Sequence, residues 1–285
     1  MNEFPRTEVG GLSLPRMLIG TNWFMGFSHA TLAKDRYIQT HVKNRDSIAD
    51  IMETFVNRGV DAVMGLVQVE PLAEAVKEAE QRTGKKITII STPWFPALKP
   101  SATNWLDLDE VARVLDNEAA QGVSICMPHT TFTDAMLDKY TREIRQMDVV
   151  ARMIRERGMV PGLSTHIPET IIYADETGLD VESYISIFNA MGFLMPLEVD
   201  WTASVIRNAK KPVMTIKPMA AGQIRPFQAL TFVWNVLRDI DMVTVGTMSP
   251  DEATELIDLS LQILAHRTPE MELQQTRSKS TVTPA

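Results

Sequence analysis

Five glycines constrain the fold of this 285-residue chain more than any other feature of its sequence. Each ends a helix-like stretch and is followed by a short apolar run, and they are Gly59, Gly84, Gly122, Gly158 and Gly178. A glycine just after a helix tolerates the left-handed backbone that ends it. A strand that follows within a few residues is characteristic of α/β proteins. The sequence therefore predicts a repeating helix-to-strand unit.

Eight apolar runs have the length and composition of strands. They occupy residues 17–21, 60–64, 87–91, 123–127, 159–164, 184–189, 213–217 and 242–246. The runs at 87–90 and 243–245 are β-branched and apolar throughout, as parallel strands covered on both faces require. Eight such strands, in a chain close to the ~250 residues typical of the fold, predict an α/β protein with a closed (β/α)8 TIM barrel.

Two of the intervening helices are well signalled. Residues Ile48, Ile51, Met52, Phe55 and Val56 fall on one helical face, so a helix is expected to start near residue 46 or 47. A second helix is expected after residue 249, because a serine N-cap is followed by proline at the first helical position and by glutamate three residues after the cap.

Composition agrees with one large domain, which we place at residues 1–267, followed by a flexible polar tail at 268–285. A hydrophobic content of 45% suffices for a sizeable core. No run approaches the ~20 apolar residues of a membrane span, and the N-terminus lacks the pattern of a signal peptide, so a cytoplasmic location is expected. The net charge of −8 argues against nucleic acid and membrane as partners. The oligomeric state is left open.

Polar residues at the carboxyl ends of the predicted strands mark the candidate active site, because the loops of a barrel converge there. His129, His166 and Lys217 are the candidate catalytic residues. A small-molecule substrate is expected to contact four side chains at the ends of three strands, namely Asn22, Trp23, Trp94 and Asn189. Cys126 lies inside a strand and is interpreted as an apolar filler, and a lone cysteine excludes an internal disulfide.

Each candidate catalytic residue has more than one interpretation. The two histidines suit proton transfer or metal binding, and His166 has a structural alternative in which it only orients its loop. A metal is less favoured, because the further ligands it would need, Glu70, Asn22 or His29, are scattered. A desolvated Lys217 could form a Schiff base, but we favour an electrostatic role in binding an anionic substrate.

Several segments carry a family resemblance. Residues 161–170, Pro-Gly-Leu-Ser-Thr-His-Ile-Pro-Glu-Thr, resemble the fifth βα unit of the aldo-keto reductase superfamily, where a strand ending in Gly-x-Ser-x-His/Asn-x-Pro-Glu is common. Residues 216–222 and 244–253 are similar to that superfamily's seventh and eighth strands with their loops. Residues 8–20 resemble the β-hairpin that precedes its first strand. The match covers most of the chain and is strong from about residue 150 to 257.

The resemblance implies a barrel that binds NADPH along strands five to eight and reduces a carbonyl with a tyrosine acid supported by aspartate, lysine and histidine. The residues it implies for cofactor binding are Ser164, Gly222, Gly246, Thr247 and Ser249. Either NADPH or NADH is open as the cofactor, and no arginine follows residue 249, where the superfamily often uses one for the 2′-phosphate.

The chain departs from the superfamily at the catalytic tetrad. After strand two the superfamily has Phe-Asp-Thr-Ala and then Tyr-Gly, whereas residues 62–70 read Ala-Val-Met-Gly-Leu-Val-Gln-Val-Glu. Pro93 stands where the lysine is expected, and Lys99 lies too far along the loop to replace it. His129 is the candidate for the histidine, offset by two residues, and Ile185 replaces a glutamine expected under the nicotinamide. The resemblance thus implies a divergent member of the superfamily without the Asp, Tyr and Lys of the tetrad.

Three functions follow from this pattern. The first is a divergent enzyme of lyase or isomerase type that transfers protons on a small hydroxyl- or carbonyl-bearing metabolite. The second is an NAD(P)H-dependent oxidoreductase that reduces a carbonyl with a non-standard acid, His129 or an ordered water. It is placed second, because a barrel without its general acid forfeits ~10²–10⁴-fold in rate and is a poor reductase. The third is an inactive barrel that serves as a binding or regulatory subunit.

Overall fold

A parallel sheet of nine strand segments forms the centre of the computed structural model, which describes residues 3–95 and 106–268. Four further short strands form two antiparallel pairs, β1 with β2 and β7 with β8. In chain order the strands are β1 (Arg6–Val9), β2 (Leu12–Pro15), β3 (Met17–Gly20), β4 (Ala62–Gly65), β5 (Thr88–Ser91), β6 (Ile125–Cys126), β7 (Leu137–Asp138), β8 (Glu143–Ile144), β9 (Val160–Pro161), β10 (Leu163–Ser164), β11 (Tyr184–Ile187), β12 (Val213–Ile216) and β13 (Met242–Val245).

Helices lie between the strands and cover the outside of the sheet. They are α1 (Asn22–Met25), α2 (Leu32–His41), α3 (Arg45–Asn57), α4 (Leu72–Thr83), α5 (Leu108–Ala120), α6 (Thr130–Thr133), α7 (Met147–Glu156), α8 (Glu169–Thr177), α9 (Val199–Asn208), α10 (Pro226–Val236) and α11 (Pro250–Leu264), with 3₁₀ turns at Asp134–Met136 and Ala220–Gly222. In the described part of the chain, no helix combines the length and apolarity needed to cross a bilayer.

The sheet closes on itself through a strand interrupted at Gly162. The strand order is β10-β11-β12-β13-β3-β4-β5-β6-β9, and β9 and β10 are consecutive pieces of one chain segment. Gly162 N–H bonds to Cys126 O on one side (3.1 Å), and Leu163 N–H bonds to Ser183 O on the other (3.0 Å). The nine segments thus form the eight strands of the predicted (β/α)8 barrel, which is confirmed.

The predicted N-terminal hairpin is also confirmed, and it closes the barrel at the amino ends of the strands. The Oγ1 hydroxyl of Thr7 donates to the carbonyl oxygen of Ile240, just before β13 (3.1 Å). Two apolar hairpin side chains enter the barrel interior. The interior cluster consists of Val9 and Leu14 from the hairpin with Leu18, Ala62, Met64, Ile90, Ile125, Met127, Ile185, Met214 and Met242 from the strands.

The local signals read from the sequence agree with the structure. All five glycines after helices have left-handed backbone, with φ between +66° and +81°. The helix expected from residue 46 or 47 starts slightly earlier, because Asn44 is the N-cap and its side chain accepts the Ser47 N–H (2.9 Å). Helix α11 is capped as predicted, since Ser249 Oγ accepts the Glu252 N–H (3.2 Å). The predicted tail lies outside the described residues beyond Thr268.

A buried ion pair joins two loops at the amino end of the barrel. The carboxylate of Asp241 is fully buried and accepts hydrogen bonds from Val213 N–H (2.9 Å) and from Arg238 Nη2 (2.7 Å). Arg238 also donates to the carbonyl oxygens of Ala209 and Lys211. The pair therefore ties the segment before β13 to the segment that enters β12.

Candidate active site

A cavity of about 690 Å³ opens at the carboxyl ends of the barrel strands. That volume is in the range of small-molecule sites. Nine of the twelve residues proposed from the sequence line it. They are His129, His166, Lys217, Ser164, Gly222, Gly246, Thr247, Asn22 and Trp23.

Lys217 is the cation held deepest in the protein among the cavity residues. It follows β12 directly, and burial lowers the pKa of its amine from 10.5 to about 8. Desolvation disfavours the charged form of a lysine, which is the cause of this shift. At pH 7 the amine is therefore mostly charged, but its neutral fraction is far larger than that of an ordinary lysine.

Three histidines share this cavity with the lysine. Burial and the charge of Lys217 lower the pKa of His29 and of His129 from the ordinary value. For His166, burial followed by the charges of Lys217, His129 and His29 lowers the pKa to about 4. Above pH 5 the His166 ring is therefore neutral, and it can accept or donate a hydrogen bond without carrying charge.

The ring of His129 is oriented by the backbone that follows it. Its Nδ1 atom accepts a hydrogen bond from Thr131 N–H (3.2 Å), and Thr131 Oγ1 lies 2.9 Å from the same nitrogen. Because Nδ1 is an acceptor, the neutral ring carries its proton on Nε2. Trp94 extends this arrangement, since its indole Nε1 donates to Thr131 Oγ1 (3.0 Å).

Asp134 joins the loops that carry two of the histidines. Its carboxylate accepts hydrogen bonds from Thr130 Oγ1 (2.7 Å), from the Thr165 hydroxyl and from the backbone N–H of His166 (3.1 Å). One side chain thus fixes the loop after β6 to the loop after β10. Asp134 also lines the cavity, and its charge partly opposes the lowering of the His129 pKa.

Replacing His166 by glutamine is expected to reduce the acid sensitivity of the fold. The His166 pKa is about 4 in the folded state and 6.5 ordinarily, so the unfolded chain binds the proton more tightly. The contribution of the neutral His166 ring to stability is therefore complete above pH 6.5 and is lost as the pH falls towards 4. Between pH 7.5 and pH 5, the free energy of unfolding should fall by roughly 1–2 kcal/mol more in wild type than in His166→Gln.

The measurement is the thermal midpoint of both proteins across that pH range. His41→Gln is the matched control, because His41 is an exposed histidine on α2 and does not line the cavity. Parallel midpoint curves for wild type and His166→Gln would show that this ring is not held neutral by the fold.

The end of the cavity proposed for a cofactor contains one unpartnered hydroxyl. Thr247 Oγ1 is buried and has no hydrogen-bond partner among the described residues. Lys34 lies beside this end, with its Nζ 4.0 Å from Met248 Sδ and 5.7 Å from the centre of the Trp23 ring. The residues present therefore offer a nucleotide a free hydroxyl and one cation.

Other features of this end limit what it can bind. A Cβ atom on Gly246 would lie 2.9 Å from Cδ1 of Trp23, so the indole already covers that glycine. Two donors at the start of α11 are occupied, because Ser249 accepts Glu252 N–H and Glu252 Oε2 accepts Met248 N–H (2.7 Å). Glu252 and Glu255 also line the cavity here and repel additional phosphate.

Three proposed residues lie outside the cavity lining. Ser249 caps α11, as described above. Trp94 is 64% exposed and reaches the site only through Thr131. Asn189 is fully buried, where it accepts N–H groups of Met191 and Phe193, so it shapes the loop after β11. Their proposed binding roles stay predictions.

Sequence reasoning missed several residues of the cavity. Asp134, Lys34 and Arg225 line it, and His29 had been considered only as a metal ligand. All four lie several residues beyond a strand end, where no local pattern marks them. Among the described residues, no group of three or more His, Cys, Asp or Glu side chains is placed to hold a metal ion, and Glu70 does not line the cavity.

The aspartate, tyrosine and lysine of the superfamily's tetrad are expected after the second and third barrel strands, which are β4 and β5 here. In the described part of the chain the ends of these strands contribute Met64, Gly65 and Thr92 to the cavity, none of which is titratable. Lys99 lies outside the described residues. The divergent tetrad stays a prediction, and Cys126 is fully buried with its thiol pKa raised by burial, as expected of an apolar filler.

Comparison with known proteins identifies the fold. No protein-family profile and no curated protein matches this chain. A Pseudomonas aeruginosa protein assigned as an aldo-keto reductase has a solved structure that matches with a TM-score of 0.64 and 14% identity, covering 91% of this chain and 95% of its own. An aldo/keto reductase from Brucella melitensis matches with a TM-score of 0.58 and 11% identity, covering 93% and 98%.

An aldose reductase from Giardia lamblia matches with a TM-score of 0.53 and 10% identity, covering 95% of this chain and 96% of its own. At such identities a structural likeness establishes the fold alone, because one barrel supports many chemistries. The predicted resemblance to aldo-keto reductases is therefore confirmed for the barrel.

Proposed function

We propose that this protein is an enzyme that transfers protons on a small carbonyl- or hydroxyl-bearing metabolite, in a reaction of lyase or isomerase type. One observation carries the proposal: Lys217 lines the same cavity as three histidines whose pKa values are lowered. Such perturbed groups in a cleft are typical of catalytic sites.

The proposed chemistry divides between the lysine and the histidines. With a pKa of about 8, Lys217 is mostly protonated at pH 7, so its charge can stabilise an enolate or alkoxide that develops on the substrate. The Nε2–H of His129 can donate to the same oxygen. The neutral ring of His166 can accept a proton from the substrate.

The cavity also indicates the charge of the substrate. Lys34 and Arg225 line it, and neither has a carboxylate partner within salt-bridge distance in the described part of the chain. A small metabolite that carries a carboxylate or phosphate would be attracted by these side chains and by Lys217. We therefore expect an anionic hydroxy-ketone or hydroxy-aldehyde.

His129→Ala is expected to lower proton transfer by about 10²–10⁴-fold, the usual contribution of a general acid or base. The assay follows deuterium uptake at the carbon next to the carbonyl in D₂O by proton NMR, with anionic hydroxy-ketones such as dihydroxyacetone phosphate. Stability should fall by only about 1 kcal/mol, because His129 also caps the short helix α6.

His41→Ala is the matched control, since His41 is exposed and lies outside the cavity. It should exchange deuterium at the wild-type rate. An unchanged rate in His129→Ala would remove this residue from the proposed mechanism.

A second candidate function is favoured by the unpartnered hydroxyl of Thr247. A nicotinamide nucleotide would be held by Thr247 and Lys34, and when bound it would supply a hydride donor. Because Glu252 and Glu255 line this end, NADH suits the site better than NADPH, which carries a further phosphate. Titration with each nucleotide, followed by the shift in thermal midpoint, tests this candidate.

A further inference from the structure

The amine of Lys217 is isolated from the carboxylates of the protein. Within the described residues, no carboxylate forms an ion pair with it and no acceptor bonds to its Nζ. Burial is the one cause that shifts its pKa, which means that no neighbouring negative charge holds the amine protonated. A lysine with a lowered pKa keeps a larger share of neutral, nucleophilic amine at pH 7 than an ordinary lysine does, and Lys217 lines the cavity where a ligand would bind.

The backbone at this position is strained. Lys217 has φ of +60° and precedes Pro218, although a residue before proline normally adopts extended backbone. Ala220 and Ala221, in the same loop, also have positive φ. Each such residue costs of order 1–3 kcal/mol, and strain of this kind is concentrated at active sites. The loop therefore holds Lys217 at the cavity at the expense of stability.

We propose that Lys217 Nζ forms a covalent imine with the carbonyl carbon of the substrate. This inference rests on the proposed function and adds a step to it: the lysine is a nucleophile as well as a positive charge. The substrate class narrows accordingly to aldehydes and ketones, because a hydroxyl group alone cannot form an imine.

The step is balanced by the loss of one water molecule. The neutral amine attacks the carbonyl carbon while the Nε2–H of His129 hydrogen-bonds to the carbonyl oxygen. One amine proton passes to that oxygen and gives a carbinolamine. The second amine proton leaves with the hydroxyl group as water, so that amine and carbonyl yield imine and water. No oxidant or reductant is needed.

Reductive methylation tests whether the amine forms imines. Formaldehyde, the smallest carbonyl compound, is given at limiting concentration with sodium cyanoborohydride at pH 7, and methylated lysines are quantified by peptide mass spectrometry. At a pKa of about 8, against 10.4 for an ordinary lysine, Lys217 has roughly 200-fold more free amine. We expect Lys217 to be methylated at least ~10-fold faster than exposed lysines. This factor is smaller than the difference in free amine, because reagents reach a buried amine more slowly.

Lys86 is the internal reference, because its side chain is 92% exposed. The advantage of Lys217 over Lys86 should shrink at pH 10, where ordinary lysines also deprotonate. Equal or slower methylation of Lys217 at pH 7 would overturn the imine proposal. If deuterium uptake still occurs in that case, the proposed proton transfer stands without the covalent step. Fast methylation without deuterium uptake would instead contradict the proposed function alone.

Discussion

Lys217→Met is expected to abolish deuterium exchange and at the same time to raise the thermal midpoint. Methionine keeps a similar length and volume without the charge. At pH 7 the lowered pKa of Lys217 corresponds to a burial penalty of roughly 1–3 kcal/mol, which the variant would not pay. The expected gain is a few degrees in the thermal midpoint. A loss of activity coupled to a gain in stability is typical of groups that a fold retains for function.

The pH dependence of that gain identifies its cause. The folded-state pKa of Lys217 is depressed, so the unfolded chain binds the proton more tightly and the penalty is complete below pH 8. This penalty decreases as the pH rises from 8 to 10.5, because the amine then loses its proton in the unfolded chain as well. The stability difference between Lys217→Met and wild type should therefore be large at pH 7 and small at pH 10.

Lys86→Met is the control for this experiment, because it makes the same substitution at an exposed site. It should leave both the exchange rate and the midpoint near the wild-type values. If Lys217→Met lowers the midpoint at pH 7, the lysine stabilises the fold and our account of its burial is wrong.

Asp241→Ala is expected to destabilise the protein by about 3–5 kcal/mol, the usual effect of breaking a buried ion pair. The substitution removes a fully buried carboxylate, so Val213 N–H loses its acceptor. The guanidinium of Arg238 loses its counter-charge and keeps only the carbonyl oxygens of Ala209 and Lys211 as acceptors. The thermal midpoint should fall by about 10 °C. Urea unfolding gives an independent value of the loss.

Asp239→Ala is a close control, two residues away in the same loop. The Asp239 side chain is fully exposed and lies 3.5 Å from Arg16. A surface pair of this kind contributes about 0–1 kcal/mol, so this variant should be nearly as stable as wild type. Equal losses in the two variants would show that charge in this loop, and not the buried pair, sets its stability.

The barrel could be predicted because its signals are local. Each glycine that ends a helix is recognisable beside the apolar run that follows it, and eight such runs fix the architecture. The interruption at Gly162 was not predicted, because it depends on two partners far along the chain, Cys126 and Ser183. Helix boundaries were accurate to one or two residues, as at Asn44.

The candidate site could be predicted only where its residues adjoin strand ends. His129, His166 and Lys217 were predicted to lie together because the fold class brings those ends together, and all three line the cavity. Asp134 was not found, because its three hydrogen-bond donors come from two loops and no pattern in the sequence connects them. Asn189 also follows a strand, but its side-chain amide forms hydrogen bonds with the backbone of Phe193 in its own loop.

The N-terminal hairpin determines the route by which molecules reach Lys217. Val9 and Leu14 fill the barrel interior from the amino end, so ligands cannot pass through the barrel. Among the described residues, the cavity that Lys217 lines opens on the opposite side, at the carboxyl ends of the strands. A molecule that binds beside the amine is therefore expected to enter from that side and to leave by it, along the same path as the water that it displaces.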